Sequence, residues 1–136
     1  FPSKEALITG MLDACLDGFE AEIELLRAEL GGGPGSWLRA YLLASSDPQG
    51  QAMIASGGVF AAIAHQPELL RVMRERWIVW QQRADADGVD PTVASIVRLA
   101  TDGLWLVDAL ALAPLQGERR EAFINALQDM IDEGLA

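Results

Sequence analysis

Basic residues and reactive side chains are scarce in this chain. Its 136 residues hold ten Lys and Arg against twenty Asp and Glu, a formal net charge of −10. Lys4 is the sole lysine. Such a surface repels phosphate backbones and anionic membrane faces, so the segment itself does not read nucleic acid. Its acidity serves solubility. The single cysteine, Cys15, rules out an intramolecular disulfide and fits a reducing cytoplasm. It falls at a core-facing helical position and reads as a small apolar residue rather than a reactive thiol. No apolar run approaches the roughly 18–20 residues of a membrane span, and no signal peptide is visible. Clear period-two alternation is missing as well, which leaves no evident strand.

Catalytic and metal-binding constellations are equally thin. His65 is the sole histidine, and its place beside a helix break favours a capping or exposed role. The acidic tract from Asp85 fails as a calcium loop, because loop positions six and twelve would be Asp90 and Ile96 rather than Gly and Glu. Asp13/Asp17 and Glu20/Glu24 are carboxylate pairs at helical spacing. No Glu-x-x-His accompanies them, so they read as a solvated face. Gly31–Gly35 lacks the lysine of a phosphate-binding loop. The expectation is a protein without enzymatic activity, cofactor or metal.

What the chain does have is apolar content, 51%, laid out at helical spacing. Breaks at 31–36, 45–48, 66–67, 87–91 and 113–117 divide it into six helical pieces, within one domain by length. The first piece, about 3–30, is capped by Ser3 and spans about 40 Å. Ser36 is the expected cap of a short, mostly buried helix from Trp37. Asp47-Pro48 is the expected start of a third, with Gly57-Gly58 in its middle, and Pro67 opens a fourth.

The fifth piece is unusual. Asp90 caps it, Pro91 suits its first position, and it then carries two apolar stripes. Val93, Ile96, Val97, Ala100, Leu104, Val107 and Ala111 form one. Ile96, Leu99, Gly103, Leu106 and Leu110 form the other. A helix on the surface of one globule needs a single stripe. The second side therefore calls for another copy of the chain. A short loop makes the sixth helix its antiparallel neighbour, and the pair can meet a symmetry mate as a four-helix interface.

Two stretches resemble a known family. Phe1-Pro2-Ser3-Lys4-Glu5-Ala6-Leu7 looks like the junction in TetR-family transcriptional regulators where the helix-turn-helix ends and the long connecting helix begins. Asp87-Gly88-Val89-Asp90-Pro91, leading into Arg98-Leu99-Ala100-Thr101-Asp102-Gly103-Leu104-Trp105, resembles a subclass of TetR-type regulatory domains. The resemblance implies an all-α, six-helix regulatory domain over 1–136. It implies a helix-turn-helix domain upstream, represented here by its junction at 1–7, and Lys4 as the lysine that touches a DNA phosphate. It further implies a cytoplasmic homodimer that senses a small molecule within each subunit and acts on operator DNA through the upstream domain, usually as a repressor.

Aromatic and sulfur side chains are the candidates for a pocket: Met53, Phe60, Met73, Trp77, Trp80 and Trp105, with Tyr41 and Asp102 as polar contacts. They suit a small hydrophobic or aromatic ligand, although each fits plain core packing too. Ile96, Leu99, Leu106, Leu110, Phe123, Leu127 and Met130 are the candidates for the dimer interface. A second reading remains open at this point, a helical homodimeric binding or scaffold protein unconnected with transcription.

Overall fold

The Ser3 hydroxyl accepts from the Ala6 N–H at 3.0 Å and so opens α1 (Lys4–Glu29). Glu5 in its first turn and Arg27 in its last suit the helix dipole. In this computed structural model, which describes residues 3–47 and 58–135 but not the side chains of 58–61, α1 ends on glycine. The Gly32 N–H donates to the Arg27 carbonyl and the Gly31 N–H to that of Ala28. Gly31 stands at φ +93°, so the turn has the Schellman pattern. Leu12, Leu16 and Ile23 form the buried face of α1.

The helix at the centre of the subunit is α2 (Ser36–Ser46). It buries Trp37, Leu38, Ala40, Tyr41, Leu42 and Ala44, almost its whole circumference. Ser36 is not its cap. Gly35 holds that position at φ +81°, while Ser36 lies inside the helix with a buried hydroxyl that has no hydrogen-bond partner. The cap comes from elsewhere in the chain. The Trp37 and Leu38 N–H groups donate to the Asp87 carboxylate at 3.3 and 2.9 Å, and the Gly35 N–H donates to the Asp87 carbonyl at 2.8 Å. A Cβ on Gly35 would lie 2.9 Å from Ile131 Cγ2, so both conformation and closeness call for glycine.

The next elements are α3 (Gly58–His65) and α4 (Glu68–Asp85), with Pro67 just before the latter as its N-cap. Met53, and the expected helix start at Asp47-Pro48, involve residues outside those described. α5 (Pro91–Leu110) starts as its sequence predicts: Asp90 accepts from the Thr92 and Val93 N–H groups at 3.0 and 3.1 Å, and Pro91 sits in the first turn. α6 (Gly117–Glu133) follows, burying Leu127 and Ile131.

α2 packs against α1, α4, α5 and α6. Its C-terminal end is also held from outside. Arg120 grips Asp108 through two bonds, at 3.0 and 2.9 Å, and donates to the Ser46 carbonyl at 3.0 Å. The end of α6 returns to the start of α5, where the Asp90 N–H donates to the Gly134 carbonyl at 2.8 Å. The architecture is all-α, six helices among the described residues. None of these is long and apolar enough to cross a membrane.

Candidate functional site

Around its axis α5 divides into zones. Ala94, Val97, Thr101 and Leu104 are buried against the subunit. Ile96, Leu99, Leu106 and Leu110 are exposed, Leu99 at 59%, with Gly103 exposed among them. Between the two zones lie Arg98, Asp102 and Trp105, all partly buried. The intermediate zone is where the chemistry concentrates.

Asp102 accepts from three elements. The Tyr41 hydroxyl of α2 donates to one carboxylate oxygen. The Trp77 indole N–H of α4 donates to the other at 3.1 Å. Arg98, one turn earlier on α5, reaches that same oxygen at 2.7 Å. Burial pushes the Asp102 carboxyl above its ordinary range, against the lowering effect of the Tyr41 and Trp77 hydrogen bonds and of Arg98. The Tyr41 phenol is pushed well above its ordinary value, first by burial and then by the charge of Asp102 and the hydrogen bond to it, with Arg98 opposing. The phenol therefore keeps its proton at physiological pH and acts as a donor. Arg98 also donates to the Gln81 side chain, which fastens α5 to α4 a second time.

Aromatic rings continue from this node. Trp37 and Tyr41 stack with centroids 5.1 Å apart, one helical turn along α2. Phe19 meets Tyr41 edge-on at 5.8 Å and Trp80 at 5.2 Å. Trp77 lies 4.3 Å from Trp80 and 6.4 Å from Trp105. The layer thus runs from α1 through α2 and α4 to α5.

Of the residues expected at a pocket, the structure brings Tyr41, Asp102, Trp77, Trp80 and Trp105 into this connected cluster. Trp80 is packed into the core, 3% exposed, with its indole N–H donating to Glu20 at 2.9 Å. Met73 packs against the core without being fully buried. Met53 and the Phe60 side chain lie outside the described residues. Of the residues expected at a dimer contact, Ile96, Leu99, Leu106 and Leu110 are exposed and Phe123 and Met130 are partly buried. Leu127 is buried within the subunit, 4% exposed. Lys4 is exposed in the first turn of α1, and Cys15 is only partly buried.

Two groups of residues differ from their sequence reading. The α1 carboxylates are not merely a solvated face. Arg76 reaches Asp13, Asp17 and Glu20 at 3.3, 2.8 and 3.1 Å, and Arg83 reaches Glu24 at 2.9 Å. Arg98 and Asp87 make contacts that the sequence reading does not assign, whereas Phe19 packs against the core as the apolar stripe of the first helix implies. Arg98 and Asp102 did carry a signal, an i,i+4 pair of opposite charges on an otherwise apolar helix. Asp87 carried none, because its partners lie about 50 residues upstream. Among the described residues, no group of three His, Cys, Asp or Glu side chains converges as a metal site.

The described residues thus form a helical subunit with an uncovered apolar face on α5 and an aromatic interior. Residues 35–132 match the family model described as the tetracyclin repressor-like, C-terminal domain. The chain belongs to this family, the C-terminal domains of TetR-like regulators. Such domains generally serve in ligand binding and dimerisation, and DNA is bound by an N-terminal domain. No curated protein and no solved structure matches the chain.

Proposed function

We propose that this chain is the ligand-sensing and homodimerising part of a cytoplasmic TetR-like repressor, released from operator DNA by a small, largely hydrophobic or aromatic ligand. Operator DNA is bound through an N-terminal helix-turn-helix domain joined at Phe1–Leu7. One observation carries the reading. α5 holds the polar node of the aromatic cluster at Asp102 and, beside it, the uncovered stripe Ile96–Leu99–Gly103–Leu106–Leu110. A ligand that rearranges Tyr41, Trp77 or Trp105 acts on the same rigid helix that would face the second copy. A shift of that helix changes the dimer geometry only insofar as the ligand favours one arrangement over the other.

α6 completes the proposed four-helix contact. Phe123 and Met130 border the exposed Ala122 and Ala126, whose small side chains allow close approach. Melting curves taken with a panel of small hydrophobic and aromatic compounds test the ligand half. Compounds that raise the melting temperature are expected to lose most of that effect in Tyr41→Phe and Asp102→Asn. Stabilisation untouched by both substitutions places the ligand elsewhere. Sedimentation of the chain tests the dimer half.

A further inference from the structure

A recess of about 190 Å³ opens between α1, α2 and α4, away from Asp102. Glu20, Ile23 and Glu24 come from α1, Trp37 from α2, and Val79, Trp80 and Arg83 from α4. Its chemistry is that of a cation receptor: indole rings beside carboxylates, with an aliphatic wall from Ile23 and Val79. A cation already uses it. The Arg83 guanidinium lies over the Trp37 ring, 5.8 Å from its centroid, and pairs with Glu24 at 2.9 Å. With Tyr41 also stacked on that ring, Trp37 is 3% exposed.

Arg83 and its partner are open to solvent. The Arg83 side chain is 43% exposed and Glu24 is 51% exposed, so the pair can exchange partners with solvent species. The other charges stay behind when it leaves. Glu20 is held by Trp80 and Arg76, and Glu24 keeps only the looser contact from Arg27 at 3.8 Å. Asp13 and Asp17 add negative charge further along α1, and the chain as a whole is strongly acidic. Departure of Arg83 therefore exposes an indole face next to an undercompensated carboxylate, in a field that concentrates cations.

We propose that this recess binds a small organic cation of amidinium, guanidinium or alkylammonium type, and that Arg83 is the internal cation such a ligand displaces. Attraction to the Trp37 face and to Glu24 selects for charge. The volume of the recess limits the ligand to about the size of a single ring. Because Trp37 stacks on Tyr41, occupancy here touches the same α2 residue that donates to Asp102, and Trp80 borders both the recess and the aromatic cluster.

Benzamidinium chloride is the probe, with benzamide as a neutral counterpart of the same shape, titrated calorimetrically into the intact chain. Benzamidinium should bind with saturation and benzamide should not. Arg83→Gln should tighten benzamidinium about threefold to tenfold, because the internal competitor is gone. Glu24→Gln should weaken it by a similar factor, and Glu118→Gln, the same change at an exposed carboxylate of α6 outside the recess, should leave it unchanged. Thermal melts of each variant confirm folding before titration. Equal binding of benzamide, no gain in Arg83→Gln, no loss in Glu24→Gln, or an equal loss in Glu118→Gln would each overturn the proposal, as would the absence of binding to both the unmodified chain and Arg83→Gln.

Discussion

Asp102 shows how burial and partners compete at one carboxylate. Three donors stabilise its charge, yet burial raises its pKa in the folded chain above the ordinary value. Between the ordinary and the folded pKa, the folded state binds the proton more tightly than the unfolded one does. The contribution to stability is complete below the ordinary value and is lost as pH rises through the folded value. Asp102→Asn removes that titration. Urea melts across the acid range should show the wild type's standing relative to Asp102→Asn falling as pH rises through this window. A standing that improves with pH would mean that Arg98 outweighs burial. Tyr41→Phe removes one donor to the charged group and should cost roughly 2 kcal/mol in the same melts at neutral pH; no loss would mean water replaces the phenol. Tyr41 and Asp102 were both legible as polar points in an apolar setting. That they touch was not, since 61 positions separate them in the chain.

At the level of elements, helix ends separate local from long-range control. α1 and α5 have caps written beside them, Ser3 and Asp90. α2 does not: its N-terminal donors are met by Asp87, from the loop after α4, and a carbonyl at its C-terminal end is met by Arg120 of α6. Asp87→Ala leaves two buried N–H groups without their acceptor and should destabilise the chain by about 2 kcal/mol. Asp87→Asn, which keeps an acceptor oxygen, should recover about half of that in chemical denaturation. Equal losses for the two variants would show that charge, rather than hydrogen bonding, holds the helix end. The end of α5 presents the opposite case, a local conflict. Ala111 adopts φ +54° where glycine is the favoured residue. Ala111→Gly should therefore raise stability by about 0.5–1 kcal/mol, after the entropy that glycine adds to the unfolded chain is discounted. A loss of stability would show that the methyl group packs favourably there.

Over the whole molecule, one face stands out. Leu99 and Leu106, with Ile96 and Leu110, give α5 an apolar surface that the single chain leaves open. A surface of this kind marks an interaction site, and two-fold symmetry lets one stripe serve both partners. Leu106→Arg would place like charges against each other in the proposed dimer and should yield monomers or insoluble protein in sedimentation. A dimer mass unchanged by the substitution would exclude this face, and a monomeric unmodified chain would remove the dimer altogether. The acidic ladder of α1, paired with Arg76 and Arg83, lies on a different part of the surface and contributes little to stability where it is exposed.

The sequence by itself determined the helices and the family. Hydrophobic spacing, caps at Ser3 and Asp90, and breaks at Gly and Pro act over a few residues, and that is the range over which helix formation is decided. The doubled apolar stripe of Pro91–Leu110 was likewise legible, and α5 carries one side buried and the other exposed. Only the tertiary structure decided which helix lies at the centre, and it is the short α2. Only there do Asp87 and Arg120 meet the ends of α2, and Tyr41, Trp77 and Arg98 converge on Asp102. Those contacts join residues from different helices, and no periodicity along one helix encodes the register in which another packs against it. The same packing fixed the surroundings of the two stripes on α5: Val97 and Leu104 turned inward, Leu99 and Leu106 out.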